Sequence, residues 1–389
     1  MKKWRRLHLI YVVKQGDSLN KIARDNHTTV ATIVALNEIP NPDVLVVGQT
    51  LVLPETPDPN RRTIETNAYV EWYTKNVPAR LSQELSKRAP LLTYMMPFAY
   101  EVKRDGTLTT LDWGDLGDIA AANRTASAIV LTNIENGAFS DTLAHEIFMD
   151  TNLQDLIIGA ALQEAKKHGA KDIHVDFEYL PPEDKEKYVD FLKRLVSKAH
   201  PEGLTVSAAL APKTSANQPG KWYQGHDYKA IGEVVDFVVV MTYEWGYSGG
   251  PPMAVSPIGP VRQVLEYAVT DIPASKVMMG QNLYGYDWKL PYKVGNPNAI
   301  AVSAQYAIEL AKQNNAAISY DEMAQAPFFH YWKDGVEHVV WFEDARSIQA
   351  KFNLLDNLGL RGIAYWHLGF SFPQNWALLQ QMFHVKHIV

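Results

Sequence analysis

Residues 171–180 read KDIHVDFEYL, and the reading of this stretch decides the fold. Ile173, Val175 and Phe177 alternate with His174, Asp176 and Glu178. This is the period-2 pattern of a β-strand, whose neighbouring side chains project to opposite faces. Three ionisable groups then share one wall. Two carboxylates at this spacing sit roughly 7 Å apart along the backbone, close enough for each to oppose the other's ionisation. A carboxyl group kept protonated near neutral pH is suited to general acid catalysis. Taken alone, the stretch equally fits a half-exposed edge strand with a solvated acidic face, so the rest of the chain must decide.

The chain has 389 residues, 47% of them apolar, which bounds it to a globular protein with one large domain and room for a small one. A net charge of −6 argues against a nucleic-acid partner, which calls for a basic surface. The basic run KKWRR at 2–6 has no phosphate-cradling motif behind it and reads as a solvated terminus. LHLIYVV, which follows, is short and carries His8, so no signal peptide is recognisable. Because no apolar run reaches transmembrane length, a membrane partner is not expected. The absence of cysteine excludes disulfides and thiolate metal sites. Histidine spacing shows no HExxH-like pattern, so neither a metal nor a cofactor is expected. Aromatic residues make up 11% of the chain, which suits a carbohydrate-binding surface and an ordinary large core alike.

ETPDPNRR at 55–62 lacks apolar periodicity and reads as a linker. The unit before it, residues 1–54, runs strand, helix, helix, strand. YVVKQGDSL gives a strand, a Gly-Asp turn and a Ser helix cap; KIARDN and TVATIVALN are short helices; GQTLVLP is the closing strand. Tyr11, Val13, Gly16, Asp17, Leu19, Ile22, Ala23, Leu36, Asn37, Ile39, Leu45, Gly48, Gln49, Leu51 and Pro54 together resemble the LysM domain over the whole unit. The resemblance implies a shallow groove for N-acetylglucosamine units of peptidoglycan or chitin. It would be lined by Gly16, Asp17, Ser18 and Leu19 on one side and by Ile39, Pro40 and Asn41 on the other. Several of these also have purely structural readings: Gly16 makes a turn, and Leu19 and Ile39 pack.

Beyond the linker, eight apolar β-rich runs alternate with helical stretches: TNAYVEW, LLTYMMPFAY, ASAIVLTNI, DIHVDFE, LTVSAALAP, VDFVVVMTYEW, KVMMGQNLYGYDW and GIAYWHLG. Helical stretches such as DKEKYVDFLKRLVSKA are long enough to cross between parallel strands. Eight such units over residues 63–389 predict an α/β fold, a (β/α)8 TIM barrel preceded by the small βααβ domain. Active sites of such barrels lie at the C-terminal ends of the strands. There Asp176 and Glu178 end the fourth run. Tyr243, Glu244 and Trp245 end the sixth, Tyr284, Asp287 and Trp288 the seventh, and Trp366 and His367 the eighth. Aromatic faces stack on sugar rings and carboxylates perform the acid chemistry of glycosidic cleavage. Each aromatic by itself is as consistent with core packing.

DIHVDFE, MTYE and the Trp of GIAYWHLG resemble the fourth-, sixth- and eighth-strand motifs of glycoside hydrolase family 18. SYDEMAQAPFF, VWFEDARS and SFPQNW are similar to one branch of it, the spore cortex fragment-lytic N-acetylglucosaminidases, which also join LysM units to the barrel. The resemblance implies substrate-assisted, retaining hydrolysis, a known departure from two-carboxylate catalysis. Glu178 would be the acid, Asp176 would orient the substrate's acetamido group, and the Tyr243 hydroxyl would hold the acetamido oxygen. Trp366 would form the floor under the sugar, with Glu244, Trp245, Tyr284, Asn282, Trp288 and His174 as further substrate contacts. The sequence departs from the family pattern at Lys171 and His174, where acidic residues are usual, and at Asn282, where many relatives have Pro. An imidazole at 174 could donate to Asp176 and keep it ionised, or simply be satisfied inside the barrel. Peptidoglycan or chitin-type glycans are the expected partners, the molecule is expected to be a monomer, and a spore-associated or cell-envelope location follows from the resemblance. A chitinase and a catalytically inactive wall-binding lectin are the alternatives; the intact Glu178 speaks against the lectin.

Overall fold

The computed structural model describes residues 9–389, and the basic run at 2–6 lies outside the described residues. Eight parallel strands form the central sheet: Thr63–Glu71, Tyr94–Phe98, Ala126–Thr132, Asp172–Asp176, Thr205–Leu210, Phe237–Val240, Val277–Asn282 and Gly362–Trp366. The eighth pairs with the first, Ala364 opposite Asn67, which closes the barrel. Alternation along each strand sorts the core into two layers. Tyr69, Tyr94, Met96, Ala128, Val130, Phe237, Val239 and Met278 fill the barrel interior. Val70, Met95, Ile129, Ile173, Val175, Val238 and Met279 face outward and join the larger core shared with the surrounding helices. The β-rich runs are therefore two-sided because both faces of the sheet are covered.

The seventh run differs from its reading. KVMMGQNLYGYDW is two strands, not one. The barrel strand ends at Asn282; at Leu283, whose N–H donates to the Trp366 carbonyl at 2.8 Å, the chain leaves the barrel. Tyr284–Lys289 then belongs to a separate five-stranded antiparallel sheet with Ile300–Ser303, Val336–Trp341, Ala326–Lys333 and Ser319–Asp321. An unbroken run of strand-forming residues hides this change of sheet, because the same composition serves both.

The N-terminal unit has the expected order: strands Ile10–Val12 and Thr50–Val52 pair antiparallel around helices Leu19–Asp25 and Val30–Asn37. Ser18 and Thr29 cap the two helices, each accepting from a backbone N–H of the first turn. The unit is not a separate body on a free linker. Leu9, Val46 and Val52 belong to the barrel's own outer core. Thr50 donates to Gln374 Oε1 at 2.9 Å while Gln374 Nε2 donates back to the Thr50 carbonyl at 2.6 Å. The Ile318 N–H donates to the Val47 carbonyl at 2.8 Å, and Arg346 reaches the Gly48 carbonyl at 3.3 Å. Gly48 has φ +84°, and a Cβ there would lie 1.9 Å from the Ile318 carbonyl oxygen, so only glycine permits the approach. Glu38 pairs with Arg88 at 2.6 Å and Lys87 at 3.2 Å. The stretch read as a linker is also docked, with Glu55 N–H on Gln381 and Arg61 on the Phe383 carbonyl, each at 2.9 Å. Its polar composition supplies donors to the barrel surface where a loose tether would offer them to water. Among the described residues no helix is long and apolar enough to cross a membrane.

Candidate active site

Asp176 closes the fourth barrel strand and Glu178 follows it by two residues; both are buried at the C-terminal mouth. The Glu178 backbone is held by Asn133, just beyond the third strand: its Nδ2 donates to the Glu178 carbonyl and its Oδ1 accepts the Glu178 N–H, both at 2.9 Å. Burial pushes the Asp176 carboxyl up to about 7. The Glu178 carboxyl is pushed well up, first by burial and then by the charge of Asp176. Against this, the Trp222 indole N–H donates to Glu178 Oε2 and favours the charged form. Asp176 Oδ1 is buried with no partner in the protein, an acceptor whose cost is relieved by a donor from outside.

The walls come from neighbouring strand ends. Tyr243 follows the sixth strand; burial raises its phenol pKa strongly, and the charges of Asp176 and Glu178 add to this. Gly280 makes room for it, since a Cβ there would sit 2.9 Å from the Tyr243 ring and 2.6 Å from the Val240 carbonyl oxygen. Half-buried Trp366 ends the eighth strand, with its ring centroid 5.3 Å from Tyr69 and 4.8 Å from Phe98, both edge-on. Glu244 adopts φ +67°, a left-handed conformation uncommon for a residue with a Cβ. Its Oε1 accepts from Tyr286 at 3.0 Å and from Tyr284. Beside these residues a hollow of about 250 Å³ is lined by Trp222, Tyr223, Tyr243, Glu244 and Trp245.

Not every expected contact faces this cleft. Asn282 is fully buried: its Nδ2 donates to the Tyr284 carbonyl at 2.6 Å, and its Oδ1 accepts from Ser256 at 2.6 Å. Trp288 is buried in the inserted sheet, its indole N–H on the Gly250 carbonyl at 3.0 Å. His174 is fully buried as well, and its ring nitrogens meet Tyr69 Oη at 2.8 Å and Ser207 Oγ at 2.7 Å, not Asp176. All three support the walls from behind, because their polar atoms are already spent on protein partners. Asp287 accepts from Tyr331 at 2.6 Å and meets His338 at 2.9 Å, stapling the inserted sheet.

In the N-terminal unit, Asp17 accepts from Tyr11 at 2.7 Å, from the Lys14 N–H at 2.9 Å and from Lys21 at 2.9 Å. These bonds, the Lys21 one foremost, hold its carboxyl down at about 2. Gly16 takes φ +81° in the turn, Ser18 caps the helix, Leu19 and Ile39 pack into the unit's core, and Asn41 accepts the Asp43 N–H at 3.0 Å. Gly16, Asp17, Ser18, Leu19, Ile39 and Asn41 thus each have a role in holding the fold.

Trp222, Tyr69 and Asn133 were missed in the sequence. Trp222 lies in NQPGKWYQG, the loop after the fifth strand, and Asn133 follows the third; their position past barrel strand ends was the available signal.

A buried carboxylate pair, a phenol and a half-buried tryptophan thus lie at the mouth of a closed eight-stranded barrel. The family model for glycosyl hydrolases family 18 matches residues 68–370, and the chain belongs to that family. The LysM domain model matches residues 11–54. Over 97% of its length the chain is 49% identical to the cortical fragment-lytic enzyme of Bacillus subtilis (strain 168), covering 98% of that protein. The cortical fragment-lytic enzyme of Bacillus cereus is 48% identical, with 96% of this chain and 98% of that one covered. The crystal structure of the Bacillus megaterium QM B1551 spore cortex-lytic enzyme SleL matches with a TM-score of 0.95 at 46% identity, covering 98% of this chain and 99% of that one. The chain is a glycosidase of the same two-part build.

Proposed function

We propose that the chain is a retaining β-N-acetylglucosaminidase that cleaves β-1,4-linked N-acetylglucosamine in spore cortex peptidoglycan fragments, using the substrate's own acetamido group as nucleophile. The observation that carries the reading is the buried Asp176–Glu178 pair, in which Asp176 Oδ1 has no protein partner and Glu178 is biased toward its protonated form. Glu178 gives its proton to the glycosidic oxygen as the bond to the anomeric carbon breaks. The acetamido carbonyl oxygen attacks that carbon and forms an oxazolinium ring. Asp176 accepts the acetamido N–H and opposes the growing positive charge, while the Tyr243 hydroxyl donates to the acetamido oxygen and keeps it in line. The Trp222 N–H steadies the carboxylate that Glu178 becomes. Water then adds to the anomeric carbon from the side the leaving group left, and Glu178 takes its proton, so the configuration is retained.

The names of the relatives favour cortex fragments as substrate and a spore-associated location. The test incubates the protein with cortex fragments and with chitin oligosaccharides, identifies products by mass, and follows the anomeric proton by NMR. Cortex products with retained configuration are expected. Chitin products alone would make the enzyme a chitinase, and no products from either would make it a binding protein. A substrate with glucose at the cleaved position should be nearly inert, and a thiazoline analogue of the cyclised intermediate should inhibit. A covalent glycosyl-enzyme would overturn the mechanism and direct attention to Glu244.

A further inference from the structure

Beneath the cleft, four buried side chains form one hydrogen-bonded line: Asp172, Ser207, His174 and Tyr69. It starts at the first residue of the fourth strand and ends at Tyr69, whose ring packs edge-on to the Trp366 floor. We propose that Asp172 and Ser207 are positioning residues that fix the polarity of this line, so that Tyr69 faces the catalytic carboxylates only as a hydrogen-bond acceptor. The inference rests on the functional reading above, in which Asp176 and Glu178 work as a pair.

The polarity follows from counting hydrogens. Ser207 has a single hydroxyl hydrogen and donates it to Asp172 Oδ2 at 2.6 Å. Its oxygen must then accept from His174, which places the imidazole proton on Nδ1 at 2.7 Å. Full burial holds the His174 imidazole neutral, lowering its pKa to about 3, so Nε2 is bare. The bare nitrogen accepts the Tyr69 hydroxyl hydrogen at 2.8 Å. Tyr69 therefore has only lone pairs left for the cleft, and these disfavour an ionised Asp176.

Asp172 is well placed to anchor the order. Its Oδ1 accepts from Thr205 at 2.7 Å, with the charges of Asp236 and Arg361 acting on it in opposite senses. Burial raises its carboxyl to about 7. The Thr205 hydroxyl has a second acceptor, the Lys171 carbonyl at 3.1 Å. A proton taken up by Asp172 is therefore accommodated on Oδ1, facing Thr205, and the link to Ser207 keeps its direction. At the other end, the charge of Asp176 acts on Glu178 in its own segment, on Tyr69 and Tyr243 from the first and sixth strands, and on Tyr188 from the helix behind. Among these, Tyr69 is the one whose donor is committed elsewhere by the buried line.

The test reads the line itself first, without substrate. In protein carrying 15N-labelled histidine, the His174 signal, identified by its loss in His174→Gln, should report a proton on Nδ1. Ser207→Ala removes the acceptor, so the proton should move to Nε2 and donate to Tyr69. Tyr69→Phe removes the far end and should leave the proton on Nδ1. The second reading is the pH dependence of kcat/KM. With the Tyr69 hydroxyl dipole free to turn hydrogen-first toward the carboxylates, Ser207→Ala should move the acid limb toward lower pH, because a dipole so turned favours the charged carboxylate. An Nε2 proton in the unaltered protein, or no change of tautomer in Ser207→Ala, overturns the proposed polarity. A changed tautomer with an unmoved acid limb overturns the positioning role. Absence of turnover on every glycan would instead count against the functional reading, since the tautomer measurement does not depend on it.

Discussion

The indole N–H of Trp222 donates to the Glu178 carboxylate, bringing a residue from the loop after the fifth barrel strand onto the acid beyond the end of the fourth. The contact opposes what burial does to the same group. Burial favours the protonated carboxyl and Trp222 the carboxylate; in the proposed mechanism these are the states of Glu178 before and after proton transfer.

Trp222→Phe should therefore raise the Glu178 pKa further and move the basic limb of the kcat/KM profile to higher pH. Loss of a hydrogen bond to a charged group should lower kcat about tenfold or more. An unmoved basic limb in a pH–rate series would show that the two side chains are not coupled during turnover.

Glu178→Gln keeps the shape and removes the proton. Turnover should fall by at least about a hundredfold, the scale of general acid catalysis, while binding of a non-hydrolysed oligosaccharide, measured by calorimetry, should persist. Residual activity of more than a small percentage would reassign the acid.

The Asp176 carboxyl, at about 7 in the folded protein, lies above its ordinary value of 3.8. A raised carboxyl leaves its contribution to stability intact below the unfolded pKa and loses it as pH climbs through the folded one, from about 4 to about 7. Asp176→Asn removes that loss. Denaturant unfolding should find the variant more stable than the parent at about pH 8, by on the order of a few kcal/mol at most, and little changed at about pH 4. Equal effects at both pH values would mean the carboxyl is not raised.

Gly48→Ala should undo the docking of the N-terminal unit. Its new Cβ would collide with the Ile318 carbonyl, and the residue would be forced to keep a positive φ. Limited proteolysis should then cut between the units, at 55–62, faster than in the parent. Removing residues 1–54 altogether should lower the melting temperature of the barrel, since Gln374 loses its Thr50 partners and Leu9, Val46 and Val52 leave the outer core. Unchanged melting of the isolated barrel would show that these contacts add nothing.

The barrel was legible because each strand is a dense run of apolar residues separated from the next by an amphipathic helix. Asp176 and Glu178 stood out as charges set into such a run. The inserted sheet was not legible, because Tyr284–Lys289 continues the composition of Val277–Asn282 and the break at Leu283 bears no glycine or proline. Trp222 was hidden in a loop whose fold depends on tertiary contacts. The docking was hidden in a different way. SYDEMAQAPFF, VWFEDARS and SFPQNW resembled one branch of the family, and in the structure residues within or beside them meet the N-terminal unit: the Ile318 N–H on the Val47 carbonyl, Arg346 on the Gly48 carbonyl, the Ala345 N–H near Thr50, and Gln374 on Thr50. What looked like a signature of the catalytic domain is in part the seat of its neighbour.

That seat gives the molecule a built-in ruler. A wall-binding unit on a loose tether would let the cleft sample any bond within the tether's length, its reach set by the chain statistics of the linker. Here Gly48, Thr50 and Glu38 fix the unit against the barrel, so a glycan held by the unit would lie at a constant distance from the cleft. If the unit and the cleft hold one glycan strand, the enzyme would have to release its anchor to advance, and its products should cluster at one length that Gly48→Ala broadens. A product distribution on insoluble cortex that is the same for both proteins would show that the spacing is not used.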